Sequence, residues 1–397
     1  MKNNFTAMNT FPRSKLPDVG TTIFTVMSRR ARELGALNLG QGFPDYDIDP
    51  RLTELVAAAM AEGRNQYAPM EGVIELRDRI ARKLKASYDV TADPETEITV
   101  TLGGTEAIYS AIQAVVGPGD EAIAFDPSYD SYAPAVRLAG GRCIRLPLMP
   151  PAFRYDWDRV RSTITDRTRV ILFNSPHNPA CTVAKWEDLN ALADVIRGRD
   201  ILVISDEVYE HVLYDGNKHA SVLTHPELAQ QSFAVFSFGK TLHSTGLRVG
   251  YAIAPPVLTR ELRKVHQFNT FSISNAVQTA IAQYLTEKPD IWRELPAFFQ
   301  AKRDRLIRAL APSGFAIPPA QGTFFQLIDF GDQFKPDDVA FAEKLLTEAG
   351  VATIPLAPFY EKPPPLHVIR VCIAKRDETL DAAAERINAF TEKLRRR

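Results

Sequence analysis

The chain has 397 residues, 45% of them hydrophobic, which is enough for a large core and for two or three domains. Its 47 lysines and arginines nearly balance 48 aspartates and glutamates, which excludes a global charge that would attract nucleic acid or an anionic membrane. Three widely spaced cysteines (Cys143, Cys181 and Cys372) lack metal-ligand spacing, and no stretch resembles a signal peptide or a membrane span. These features predict a cytoplasmic protein with reduced thiols and no metal centre.

The first half of the chain predicts a sheet that is covered by helices. Residues 1–50 are polar and turn-rich, and helix-period segments follow at 53–64 and 76–88. Seven short apolar runs then alternate with helical segments, a pattern that predicts an α/β fold with a mostly parallel seven-stranded sheet. Ligands bind such sheets beyond the carboxyl ends of the strands. The runs are 98–101, 122–125, 143–146, 170–173, 201–205, 234–237 and 249–254.

The pattern changes near residue 290. An amphipathic helix is predicted over 291–310, followed by strands at 324–328 and 368–373 and by helices at 337–349 and 378–394. We therefore expect three parts: an arm that also completes the small domain (1–50), a large ligand-binding domain (51–290) and a small α+β domain (291–397).

A lysine stands just after the predicted strand 234–237. Lys240 lies within SFGKTLHSTGLRVGY at 237–251. Lysine forms Schiff bases once desolvation or cationic neighbours lower its pKa. With an unperturbed pKa of about 10.4, about one lysine amine in a thousand or fewer is neutral at pH 7. A nucleophilic Lys240 therefore needs surroundings that lower its pKa. Ser237 and Arg248 suit a phosphate that brings a second anionic partner.

Spacing disfavours three other functions. An ATP-binding P-loop needs a glycine at position 234, where the chain has Ala234. A nicotinamide dehydrogenase would carry G-x-G-x-x-G after its first strand, which the chain lacks. A regulator that senses a ligand through such a domain would need a DNA-binding module, and about 40 residues before the first motif leave no room for one.

Polar side chains also follow the other predicted strands. The turn at Gly103, Gly104 and Thr105 opens a helix and is either a phosphate site or a simple tight turn. Asn178 is held in a rigid loop by two X-Pro steps, either for structure or to present its amide to a ligand. Tyr129 follows the second strand and either joins the core or stacks on an aromatic cofactor.

Two further side chains carry charge into apolar surroundings. Asp206 directly follows a buried strand, so it either caps a helix or pairs with a cation such as a protonated ring nitrogen, with Tyr209 aimed at the same ligand. Arg370 lies inside the apolar strand VIRVCI at 368–373. Its guanidinium must meet either an internal acid or the carboxylate of a substrate.

Five motifs in this order resemble the class I aminotransferases of fold type I, which depend on pyridoxal 5′-phosphate. The resemblance extends from about residue 37 to 386 and is closest to the branch of methionine and kynurenine/glutamine aminotransferases. One departure is Leu247 followed by Arg248, where that branch has tryptophan and lysine. The motifs are GQGFPD at 40–45, NQY at 65–67, PHNP at 176–179, SDEVY at 205–209 and SFGK at 237–240.

The resemblance assigns a role to each candidate. Lys240 forms the imine with the cofactor, Asp206 pairs with its ring nitrogen, and Tyr209 bonds its 3′-oxygen beside Asn178. Tyr129 stacks on the ring, and Tyr67 reaches the phosphate from a second subunit of a homodimer. The phosphate-binding set is Gly104, Thr105, Ser237 and Arg248, and the set for the substrate α-carboxylate is Gly42, Asn178 and Arg370.

The implied reaction is ping-pong transfer of an α-amino group from an amino acid to a 2-oxo acid. Phe43, Tyr46 and Phe271 suggest an apolar side-chain pocket suited to methionine or an aromatic amino acid. A carbon–sulfur β-lyase on the same fold remains the alternative, because it would share these site residues.

Overall fold

A computed structural model of the protein describes residues 13–396. Its helices are α1 Ile23–Glu33, α2 Pro50–Ala61, α3 Ile74–Tyr88, α4 Gly103–Val115, α5 Tyr132–Leu138, α6 Trp157–Thr163, α7 Trp186–Ile196, α8 Pro226–Ala229, α9 Phe238–Thr241, α10 Pro256–Asn269, α11 Asn275–Glu287, α12 Leu295–Ala309, α13 Asp338–Lys344 and α14 Asp377–Arg395. Its strands are β1 Leu37–Asn38, β2 Ile98–Thr101, β3 Glu121–Asp126, β4 Arg142–Pro147, β5 Thr168–Asn174, β6 Leu202–Asp206, β7 Ser232–Ser237, β8 Gly250–Ile253, β9 Phe325–Asp329, β10 Val351–Ala352, β11 Ile354–Pro355 and β12 Val368–Cys372.

The seven predicted runs form one sheet in the order β2-β8-β7-β6-β5-β3-β4. β8 is antiparallel to both of its neighbours, and the other pairs are parallel. Six strands therefore point the same way, and their carboxyl ends share one edge. The expectation of a mostly parallel seven-stranded sheet is confirmed.

Both faces of this sheet are buried, as continuous apolar strands require. On β5, Ile171 and Phe173 belong to one hydrophobic cluster, whereas Val170 and Leu172 belong to the other. Helix α4 covers the second face with Ala107, Ile108, Ala111 and Ile112. The alternation follows from the two-residue period of a strand.

The C-terminal part is built on a three-stranded antiparallel sheet with β12 between β11 and β9. β1, near the N-terminus, pairs in parallel with β10. The helix predicted from 291 begins as a 3-10 turn at Ile291–Glu294, because Pro296 favours the first turn of the α-helix that starts at Leu295. No helix among residues 13–396 is long and apolar enough to cross a membrane.

Candidate functional site

The predicted side chains meet at the shared carboxyl edge of the large sheet. Thr101 at the end of β2 and Ser237 at the end of β7 both lie opposite Gly250 of β8. Asn174 at the end of β5 lies opposite Asp206 at the end of β6. This register brings together the turns that follow β2, β5, β6 and β7.

Lys240 is half-buried on the short helix α9. Its Nζ donates to the Gly42 carbonyl oxygen at 3.2 Å and lies 5.2 Å from the ring centroids of both Tyr209 and Phe324. Burial, together with the positive charges of Arg248 and Arg370, lowers the pKa of Lys240 to about 8. A substantial fraction of this amine is therefore neutral near physiological pH.

Asp206 is buried at the end of β6. Burial raises the pKa of its carboxyl to about 6, although hydrogen bonds from the Tyr132 hydroxyl and from the Val208 N–H, at 3.3 Å, favour the ionised form. No lysine or arginine among the described residues forms an ion pair with it, and no helix follows for it to cap. The carboxylate is thus available to a cationic ligand.

Tyr132 is a site residue that the sequence reasoning missed. It begins α5, and its ring centroid lies 5.8 Å from that of Tyr129. The signal that would have found it is a second tyrosine three residues after Tyr129, because a turn closed by the hydrogen bond from the Tyr132 N–H to the Tyr129 carbonyl oxygen, at 3.3 Å, brings the two residues close together.

Tyr209 and Tyr129 bring aromatic rings to the edge of the sheet. The buried ring of Tyr209 packs 5.2 Å from Phe324, and burial raises the pKa of its hydroxyl well above the usual value. It therefore remains a hydrogen-bond donor. Tyr129 is half-buried, with its hydroxyl 3.4 Å from Thr105 Oγ1.

The turn before α4 has the features of an anion site. Gly103 has φ +74°, and a Cβ on Gly104 would lie only 2.8 Å from a Val208 methyl group, so the backbone runs close to its neighbours. The exposed Arg248 donates to the Leu102 carbonyl oxygen at 3.5 Å and forms no ion pair with any described residue. Backbone N–H groups, the Thr105 hydroxyl and a free guanidinium thus converge at a helix N-terminus.

Arg370 lies fully buried in the middle of β12. Its guanidinium donates to Asn178 Oδ1 at 2.6 Å and to the Gly40 carbonyl oxygen at 3.0 Å, and it stacks 3.7 Å from the Phe325 ring centroid. Its Nε has no partner, and no acid among residues 13–396 forms an ion pair with it. Burial lowers the pKa of Arg370 to about 10, so it stays cationic. Of the two alternatives left open by the sequence, a direct ion pair with an internal acid is not found within this range, although the charge of the nearby Asp130 favours the cation.

The loop that carries Asn178 and the N-terminal segment that carries Gly42 are tightly packed around Arg370. Gly42 packs so tightly that a Cβ there would lie 2.5 Å from the Phe325 ring. His177 accepts a hydrogen bond from the Ala180 N–H, and burial lowers its pKa to about 3, so it supports the loop as a neutral ring.

Within the described protomer, Tyr67 stands apart from this cluster. Its side chain is 83% exposed, and its ring contacts Phe271 at 5.3 Å but no other site residue. Of the residues predicted to shape a side-chain pocket, Tyr46 is hydrogen-bonded to His243 Nδ1 at 3.2 Å, and Phe43 lies 4.6 Å from Lys375 Nζ.

Comparisons with known proteins agree on one family and fold. The family profile described as aminotransferase class I and II matches residues 35–387. The chain is 50% identical to methionine aminotransferase of Escherichia coli, over 95% of this chain and 97% of that protein. A crystal structure of that bacterium's YbdL, reported to identify a methionine aminotransferase function, superposes with a TM-score of 0.94 at 49% identity and covers 96% of this chain and 100% of that one.

Other relatives act on different substrates. The structure of N-succinyldiaminopimelate aminotransferase from Mycobacterium tuberculosis has a TM-score of 0.92 at 36% identity, over 96% of this chain and 100% of that one. The structure of an aromatic aminotransferase from Pyrococcus horikoshii has a TM-score of 0.84 at 31% identity and covers 92% of this chain and 99% of that one.

Proposed function

We propose that pyridoxal 5′-phosphate is the cofactor of this chain, which belongs to the class I and II aminotransferases. We also propose that its amino donor is methionine or an aromatic amino acid. The enzyme transfers the α-amino group to a 2-oxo acid, and its fold is that of fold type I. The observation that carries the cofactor proposal is the meeting of Lys240, Asp206 and the turn before α4 at one edge of the sheet.

The side chains present fit that cofactor. Asp206 is a buried carboxylate without a cationic partner among the described residues, as a site for a protonated ring nitrogen requires. Arg248 and the helix N-terminus supply donors for a phosphate. When bound, the cofactor supplies an aldehyde for imine formation and a ring that withdraws electrons.

Lys240 has the properties of the proton carrier. Its lowered pKa keeps part of the amine neutral, so it can accept the Cα proton of a bound amino acid and return that proton elsewhere. Asp206 would hold positive charge at the ring nitrogen of a bound cofactor, which would favour removal of that proton. The Tyr209 hydroxyl, kept protonated by burial, donates to the site.

Arg370 and Asn178 are proposed to bind the substrate α-carboxylate. Arg370 has an unpaired Nε and a fixed plane on Phe325, so a carboxylate would complete its hydrogen bonding. We assign methionine or an aromatic donor because Phe43, Tyr46 and Phe271 are apolar and because the similar E. coli protein is a methionine aminotransferase.

The remaining proposals concern assembly and setting. The 83% exposure of Tyr67 supports a homodimer in which it reaches the partner subunit's phosphate site. The division at about residues 50 and 290 stays a prediction. The three cysteines are free, which supports the expected reducing compartment, the cytoplasm.

Substitution of Lys240 tests the function. The purified protein supplied with pyridoxal 5′-phosphate should show visible absorbance that methionine bleaches, and it should make the corresponding 2-oxo acid. Lys240→Ala should lower turnover by about a thousandfold or more. Near-normal transamination by Lys240→Ala would refute the assignment. Pyruvate released from cystathionine faster than transamination proceeds would favour the β-lyase.

A further inference from the structure

A buried histidine lies behind the turn that is proposed to hold the phosphate. His266, in the last turn of α10, is 0% exposed. Its Nδ1 lies 3.0 Å from Glu106 Oε1, and its Nε2 lies 3.0 Å from the Met70 carbonyl oxygen. Glu106 is also buried and stands in the first turn of α4.

The hydrogen-bond partners determine the charge of this pair. The Met70 carbonyl only accepts, so Nε2 must carry a proton. Glu106 also accepts from the Ser110 hydroxyl at 2.5 Å and from the Leu102 N–H at 3.2 Å, and it sits at the positive end of a helix dipole. These donors favour the ionised carboxylate, so the proton shared with His266 stays on Nδ1. This arrangement of donors and acceptors favours an imidazolium beside a carboxylate.

This ion pair joins three segments of the site. Glu106 is fastened to Leu102, directly before Gly103 and Gly104. Met70 belongs to the loop that carries Tyr67. The His266 carbonyl oxygen accepts from the Phe271 N–H at 2.8 Å, and Phe271 contacts Tyr67.

The charge of His266 also matters for anion binding. Without it, a carboxylate in the first turn of α4 would repel the phosphate that the same turn is proposed to hold. With it, the pair is neutral, and Arg248 with the helix N-terminus keeps its attraction for an anion.

We propose that His266 and Glu106 are positioning residues for phosphate recognition: His266 neutralises Glu106 and fixes the turn at 103–105 to the loop bearing Tyr67. This inference rests on the proposed function, since it concerns the phosphate of that cofactor. Its chemistry is hydrogen bonding and charge balance, with no covalent step.

Four proteins test the role of the charge: the wild type, His266→Gln, the double variant Glu106→Gln with His266→Gln, and His225→Gln. His225 is a buried histidine that caps α8 through the Leu228 N–H and forms no hydrogen bond or ion pair with a carboxylate among residues 13–396, so it serves as the matched control. The dissociation constants of the cofactor-free proteins for pyridoxal 5′-phosphate and for pyridoxal, which lacks the phosphate, are measured by absorbance. Thermal unfolding shows that each variant is folded.

We expect His266→Gln to weaken binding of the phosphorylated ligand about tenfold and that of pyridoxal less than about twofold. The double variant carries no uncompensated charge, so its dissociation constant for pyridoxal 5′-phosphate should lie within about threefold of the wild-type value. An equal loss for both ligands, or none, would overturn the positioning role.

A second measurement reports the protonation of the His266 ring directly in the wild type. Nitrogen-15 NMR of the cofactor-free wild type at pH 8 should show a histidine ring with both nitrogens protonated, assigned by its absence from His266→Gln. A ring protonated on one nitrogen would overturn the ion pair. Wild-type protein that binds neither ligand would refute the cofactor assignment and the positioning role with it, while the ring signature still reports on the ion pair.

Discussion

Arg370 shows how a single residue can be placed for function at a cost to stability. A fully buried guanidinium with an unpaired Nε and no ion pair to any acid among the described residues is desolvated without full compensation. Its contacts with Asn178, Gly40 and the face of Phe325 fix its plane. Such a site is satisfied when a carboxylate arrives, which is the property a substrate-binding arginine needs.

Replacing Arg370 with methionine should therefore separate binding from stability. We expect Arg370→Met to raise the KM for methionine about a hundredfold or more, because two charge-assisted hydrogen bonds are lost. The free energy of unfolding should stay within about 1 kcal/mol of the wild type or increase. Kinetics and urea denaturation measure the two effects. A large loss of stability with an unchanged KM would show that the arginine is structural.

Asp206 and Tyr132 give a prediction about pH. The pKa of Asp206 is raised to about 6, so its carboxylate is ionised above that pH and protonated below it. Because the Tyr132 hydroxyl bonds the ionised form, Tyr132→Phe should raise this pKa by about one further unit. Affinity for pyridoxal 5′-phosphate should then be lost at a correspondingly higher pH as the solution is acidified. Titration of the cofactor-free protein between pH 5 and 8 measures this shift.

Tyr155→Phe is the control for that experiment. The Tyr155 hydroxyl donates to the Asn174 carbonyl oxygen at 2.8 Å and bonds no carboxylate, so this substitution removes a tyrosine hydrogen bond near the site that does not involve Asp206. The pH dependence of cofactor affinity in Tyr155→Phe should match that of the wild type. If both variants shift equally, the effect comes from general loosening of the site and not from Asp206.

At the level of elements, the sequence predicted the positions of strands that depend on local hydrophobic pattern. All seven strands of the large sheet lie within two residues of the predicted apolar runs, because a strand buried on both faces is continuously apolar. The polar motifs after β5, β6 and β7 stand out for the same reason: polarity returns where the strand ends. The chemistry at the sheet edge was therefore visible before the structure.

Pairings between distant segments were not predictable. Nothing local marks β8 as the strand that runs against its neighbours, or joins β1 to β10 across about 300 residues. The bond from His266 to Glu106 spans 160 positions and depends on how α10 packs on α4. Such contacts are set by tertiary packing, which single-sequence periodicity does not encode.

The contact of β8 with the turn before α4 can be tested by adding one methyl group. A Cβ on Gly250 would lie 2.6 Å from the Gly103 carbonyl carbon and 2.7 Å from the Gly104 nitrogen, both backbone atoms. Gly250→Ala should therefore cost about 1–3 kcal/mol of stability and weaken cofactor binding. Gly246→Ala, with no atom within 4 Å of its Cβ, should change neither. Equal behaviour of the two variants in thermal unfolding and cofactor titration would contradict the predicted close approach.

For the whole molecule, the arm links regions that are far apart in sequence. The Gly40 carbonyl accepts from Arg370, the Gly42 carbonyl from Lys240 and the Phe43 carbonyl from Lys375. Ligands that engage Arg370 and Lys240 would compete for two of these three bonds. The site is thus assembled from the arm, the large sheet and the C-terminal sheet together.

The proposed role of Tyr67 would extend this assembly beyond one chain. An 83% exposed tyrosine packed only on Phe271, itself 41% exposed, is poorly placed to serve its own protomer. If Tyr67 completes the partner subunit's site, then each site takes its Lys240 from one subunit and its Tyr67 from the other. A mixed dimer has one site with both defects and one site with neither.

If both variants are inactive on their own, mixing Lys240→Ala with Tyr67→Ala should therefore restore activity. Random exchange of subunits makes half of the dimers mixed, and one of their two sites is intact, so about a quarter of wild-type activity is expected. The variants are unfolded, mixed in equal amounts, refolded with pyridoxal 5′-phosphate and assayed for transamination of methionine, with each variant refolded alone as the control. A mixture no more active than the mean of its components would show that Tyr67 serves its own subunit or no site at all.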